Sequence, residues 1–158
     1  MADDELTKYK AKQASAWLNG ILAQHKRVEA LKCHVDALRA RLDGLSSPGV
    51  RERVSGGGYR GDRMAEGVAE LQEAIEHYCA ELLALMDMQD EARGPIYALD
   101  DNAIDLLVYH YLLGYKWHDA AKKAGMEYTS AMHANRRALA KLYDSMPHRY
   151  RDPLPPAL

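Results

Sequence analysis

Apolar residues in the first third of the chain recur at alternating spacings of three and four. Ala14, Trp17, Ile21, Val28, Leu31, Val35, Leu38, Leu42 and Leu45 hold the pattern, with Gln24 as its polar member. A period of 3.5 residues is the seam of a coiled coil, and charged or polar side chains fill most of the other positions. No Pro and only Gly20 interrupts the run, so the pattern predicts one helix over about 6–44. A second run, Met64, Val68, Leu71, Ile75, Tyr78, Leu82, Leu85, Gln89 and Ala92, predicts a helix over about 63–93 that stops at Gly94-Pro95. Between them, residues 46–62 carry Ser46-Ser47-Pro48-Gly49, Gly56-Gly57-Gly58 and Gly61. That density of Gly and Pro predicts a loop.

Two heptad helices joined by a flexible loop are expected to fold back on each other as an antiparallel coiled-coil hairpin over residues 1–94. The seams can be laid so that Val28 faces Tyr78, Val35 faces Leu71, Leu38 faces Val68 and Leu42 faces Met64. A seven-residue slip would match equally well, and loop length favours the first register. Cys79, Leu83 and Met86 widen the apolar face of the second helix beyond one seam. The surplus calls for a cover, either from the C-terminal module or from another copy of the chain in a homo-oligomer.

From Asp101 the period becomes that of short globular helices. Asp100 and Asp101 can cap a helix whose Ile104, Leu107, Val108, Tyr111 and Leu112 share one face, ended by Gly114. Trp117 to Ala124 reads as a second helix with Gly125 after it, and Tyr128 to Tyr143 as a third. Residues 95–144 thus form a small three-helix module, and the Pro-rich tail over 145–158 is expected to be extended or disordered. The fold class is all-α, a long hairpin followed by a helix-turn-helix module.

Within that module Ala121 stands four residues before Gly125, and Ala131, Ala134, Ala138 and Leu142 continue a buried face after it. A helix-turn-helix needs this arrangement: a small residue where the helices cross, Gly in the turn, and apolar residues beneath the second helix. Met126 is the expected apolar plug under the turn. The opposite face of the third helix carries Tyr128, Thr129, Ser130, Met132, His133, Arg136, Arg137 and Lys141. Thr129, Ser130 and His133 are hydrogen-bonding groups near the end that would enter a DNA major groove, while Arg136, Arg137 and Lys141 suit phosphates. Lys116, just before the middle helix, joins the DNA-facing set.

Charge sharpens this picture. The 158-residue chain has a net charge of −2, which excludes a protein that coats nucleic acid by bulk charge. From Thr129 to Arg151, however, Arg136, Arg137, Lys141, Arg149 and Arg151 stand against Asp144 alone. The basic patch is local. Cys33 and Cys79 have no metal-ligand or disulfide spacing, which fits a reducing cytoplasm. The opening residues 1–13 lack the apolar run of a leader or anchor, and no stretch approaches a membrane span. Gly56-Gly57-Gly58 is followed by Tyr-Arg-Gly and preceded by no strand, so it is not a phosphate-binding loop. The seven His show no paired ligand spacing. No nucleophile, base and orienting group can be named, so neither an enzyme nor a cofactor is expected.

The stretch Tyr111-Leu112-Leu113-Gly114-Tyr115-Lys116-Trp117-His118-Asp119-Ala120-Ala121 resembles the region-four helix-turn-helix of bacterial sigma factors. Asn135-Arg136-Arg137-Ala138-Leu139-Ala140-Lys141-Leu142 resembles the basic end of its recognition helix. A heptad hairpin with a Gly-rich loop followed by this module is similar to phage and prophage transcriptional regulators of the RinA/ArpU type. His110 departs from the Arg often found before Tyr there, and Ala131 and Ala134 replace larger aliphatics. The resemblance implies a promoter- or operator-binding activator on double-stranded DNA, with RNA polymerase as a partner. A phage DNA-packaging or assembly subunit, or a protein-binding helical adaptor, are the alternatives.

Overall fold

The computed structural model describes residues 2–45, 57–100 and 102–153, and the described chain is all-helical. Helix α1 spans Ala2–Leu45 and α2 spans Gly57–Tyr97. Three shorter helices follow: α3 over Ile104–Leu107, α4 over Trp117–Lys123 and α5 over Tyr128–Ser145. A π-helical turn, Val108–Leu112, extends α3, and a single 3-10 turn, His148–Tyr150, follows α5. No helix of the described residues is long and apolar enough to cross a membrane.

The long helices run further than the sequence expectation: α1 starts at Ala2 rather than near residue 6, and α2 is longer at both ends. Residues 57–62, assigned above to the loop, form the first turns of α2. Gly lowers helix stability by only about 1 kcal/mol per residue, so a Gly-rich run can be carried at the end of a long helix. The rest of the predicted loop, 46–56, lies outside the described residues. At the other end Gly94-Pro95 does not stop α2, which runs on to Tyr97 with Pro95 inside it. In the last turn Pro95 removes a single helical hydrogen bond. The fully buried Ile96 holds the chain in place, and the Ala98 amide still donates to the Gly94 carbonyl at 3.1 Å.

The chain is divided by its contacts rather than along its sequence. It forms two compact units, one built from Met1–Lys26 and Leu85–Leu158, the other from Arg27–Ala84. The second unit holds the later part of α1 and the earlier part of α2. Leu42 meets Gly67, Arg41 pairs with Glu70 at 2.7 Å and Arg27 with Glu81 at 3.4 Å, so the two strands of helix run antiparallel. Val28, Val35, Leu38 and Leu42 are buried as the heptad predicts. The expected contacts of Val68 and Met64 shift, however. Val68 is 52% exposed, and it is Gly67 that lies under Leu42. A Cβ on Gly67 would stand 2.6 Å from Leu42 Cδ2, so the missing side chain is the hole that the Leu fills. Cys79 and Leu83 stay exposed, as does Met86 in the first unit, so the described chain does not cover the surplus face.

The first unit holds the deep core: Leu18, Ile21, Ile96, Leu106, Leu107, Leu142 and Met146 are its largest fully buried side chains. The expected capping by Asp100 is not found. Helix α3 starts at Ile104 with Ala103 in the cap position, and Asp101 lies outside the described residues. In the π-helical turn the Leu113 amide donates to the Val108 carbonyl at 3.0 Å, five residues back. Within the wider turn His110, Tyr111 and Leu112 are all buried. The tail is docked rather than free up to Pro153. Tyr150 stacks on Trp17 with centroids 5.7 Å apart, Gln13 donates to Asp152 at 3.1 Å, and the Tyr9 hydroxyl donates to the Pro153 carbonyl at 3.0 Å. Residues 154–158 lie outside the described residues.

Candidate nucleic-acid interface

The turn between α4 and α5 is built from hydrogen bonds that the sequence encodes. After Ala124 the backbone enters the left-handed region at Gly125, with φ of +71°. The Gly125 amide donates to the Lys122 carbonyl at 3.1 Å and the Met126 amide to the Ala121 carbonyl at 2.9 Å. This pair is the Schellman closure of a helix end, and it needs a residue without a Cβ penalty at Gly125. Met126 then packs on the cluster of Leu106, Ala120, Ala121 and Ala131, as expected of the plug. Three methyl side chains at the crossing let α4 and α5 come close.

Helix α5 buries Ala131, Ala134, Ala138, Leu139, Leu142 and Tyr143. Its other side is exposed, and there Thr129, Ser130, His133, Arg136, Arg137 and Lys141 form one solvent-facing surface. Arg136 and Arg137 form no ion pair among the described residues. Met132, grouped with that surface by its spacing, is half-buried and packs against the core cluster instead. Lys116 is exposed but belongs to a different element: it is the extended residue that opens α4, and its carbonyl accepts the Ala120 amide at 2.8 Å. Tyr128 stacks on His118 of α4, with centroids 4.2 Å apart and planes 17° from parallel. His118 thereby joins the edge of the surface, though nothing in its spacing singled it out.

Two cations of the basic window are not part of this surface. Arg149 is paired with Glu91, and the Arg151 guanidinium donates to the Met146 carbonyl at 2.9 Å and the Asp144 carbonyl at 3.1 Å. They fasten the tail. The basic character of α5 rests on Arg136, Arg137 and Lys141.

Beneath the surface an aromatic group fixes the start of α4. The His110 ring stacks on Trp117 with centroids 3.6 Å apart, and its Nδ1–H donates to the Tyr115 carbonyl at 2.7 Å. Gly114, at φ +78°, lets the chain turn between them, directly under the His25 ring. Burial pushes the His110 pKa below the usual histidine value, against the Tyr115 hydrogen bond, and Lys26 pushes in the same direction as burial. The imidazole is therefore held neutral as a structural donor.

Compared with family models, with curated proteins and with solved structures, the chain matches none. Among the described residues no cluster of His, Cys, Asp or Glu could hold a metal ion.

Proposed function

We propose that the chain is a sequence-specific DNA-binding regulator of transcription whose α5 enters the major groove. One observation carries this reading: a closed helix-turn-helix presents Thr129, Ser130, His133, Arg136, Arg137 and Lys141 on the single exposed side of its second helix. Thr129, Ser130 and His133 lie near the N-terminal end, where side chains reach base edges. Arg136, Arg137 and Lys141 lie further along, where phosphates line the groove. Lys116 sits at the start of α4, the helix that crosses the backbone in such motifs, and Tyr128 flanks the entry. The resemblance to sigma region four and to RinA/ArpU regulators, together with this geometry, supports a phage or prophage activator that touches RNA polymerase at its promoter.

The test is to recover bound fragments from host and phage DNA, sequence them, and measure binding to an enriched and a scrambled fragment across a salt series. Thr129→Ala or His133→Ala should cost about 1–3 kcal/mol on the enriched fragment and relax the preference for it. Arg136→Ala with Arg137→Ala should weaken both fragments alike and flatten the log affinity against log salt slope by about one unit per lost contact. An unchanged affinity and slope in the double variant would remove α5 from DNA and leave the adaptor. Enrichment at a packaging start site would support the assembly subunit instead.

A further inference from the structure

A helix lying in the major groove has a phosphate wall on each side, because the groove is only about 12 Å wide. On one side of α5, α4 is packed through Ala120, Ala121 and Ala131. A second neighbour of α5 is α1, the helix that the sequence pattern assigns wholly to the hairpin. Lys10 of α1 pairs with Asp144 of α5 at 2.8 Å. A groove one helical turn and more in length runs between the two, lined by Lys8, Lys12 and Ser15 from α1 and by Met132, Asn135 and Arg136 from α5. Lys12 is exposed and forms no ion pair among the described residues, while Lys8 is held by Asp4 at 2.6 Å. A cation without a counterion beside Arg136 extends the basic surface off α5 and across the groove.

We infer that Lys12 of α1 is a phosphate contact for duplex DNA, so that α1 adds a backbone contact beside α5. The inference rests on the DNA-binding reading proposed above. The acidic first turn of α1, Asp3, Asp4 and Glu5, would repel phosphate, and the Asp4–Lys8 pair masks the second cation of the strip. The contact therefore falls to Lys12, with Asp4 opposing it.

The experiment measures anisotropy of a labelled 30-base-pair duplex of mixed sequence with the full chain across a salt series. Lys12→Ala should weaken binding and flatten the log–log salt slope by about one unit, and Lys12→Arg should keep the wild-type slope. Asp4→Asn, which frees Lys8, should tighten binding at low salt. Lys26→Ala is the charge control: it lies fourteen residues along α1, about 21 Å away and beyond the ~10 Å screening length at 0.1 M salt. It should match wild type. Melting temperature and far-ultraviolet circular dichroism establish that each variant is folded. If Lys12→Ala binds like wild type while Arg136→Ala with Arg137→Ala loses affinity and slope, the α1 contact is wrong and the DNA-binding reading stands. If Lys26→Ala weakens binding as much as Lys12→Ala, the effect is one of net charge and the contact is overturned. If the Arg pair also leaves binding unchanged, both fail together.

Discussion

In the second unit the seam residues Val28, Val35, Leu38 and Leu42 keep 5–9% of their surface, and none of the largest fully buried side chains among the described residues is found there. In the first unit Leu18, Ile21 and Ile96 from the long helices and Leu106, Leu107, Leu142 and Met146 from the C-terminal segment all fall below 2%. A two-helix ribbon can cover each seam from one side only. Where three further helices close over the same pair, side chains are surrounded. The same heptad thus runs through both cores: it is shallower from Val28 to Leu42 and fully buried at Ala14, Ile21 and Ala92.

That contrast can be broken by measurement. Leu106→Ala removes a surrounded side chain beneath the helix-turn-helix, and it should lower unfolding free energy by about 2–5 kcal/mol, near the upper end of that range. Val35→Ala in the ribbon removes two methyl-sized groups, and it should cost about 1.6 kcal/mol. Denaturant midpoints compare them, and a larger loss at Val35 would reverse the assignment of depth.

A finer test concerns Gly67 and its neighbour. Gly67→Ala gains about 1 kcal/mol of helix propensity but drives a methyl into Leu42, which costs about 1–3 kcal/mol. The net effect should be a modest loss that turns into a gain in a Leu42→Ala background. Val68→Ala should fall within about 0.5 kcal/mol of wild type, as surface changes do. A larger loss at Val68 than at Gly67 would restore the Val68 seam.

The smallest effect expected is on pH dependence. With the folded pKa of His110 held below its unfolded value of about 6.5, the unfolded chain binds the proton first as pH falls. The contribution is therefore complete above pH ~6.5 and declines as pH drops from there toward the folded pKa. His110→Gln should flatten the melting temperature between pH 7 and 5 relative to wild type. An unaltered pH profile in that variant would assign the dependence to other groups.

Much of this was legible in residue spacing. The seam from Ala14 to Leu42, the Ala121–Gly125 crossing and the exposed side of α5 all follow from periods of 3.5 and 3.6 with Gly as punctuation. Three features escaped that logic. Gly67 was passed over because the spacing pattern counts large apolar residues, whereas a close helix crossing selects an absent one. The buried run of His110, Tyr111 and Leu112 falls in a π-helical turn, which breaks the assumed period. Lys12 and His118 acquire their place beside α5 through tertiary packing alone. The tail was expected to be extended or disordered because its prolines forbid a helix, and Tyr150, Arg151 and Asp152 dock with only a single 3-10 turn.

The discontinuity of the first unit has a consequence for the order of events during synthesis. The Arg27–Ala84 segment is contiguous and can pair as soon as it leaves the ribosome, while the opening residues, Trp17 among them, must wait for partners from the last part of the chain. At about 5–20 residues per second that delay lasts several seconds. During it Leu18 and Ile21, fully buried in the finished unit, lack the part of that unit made later.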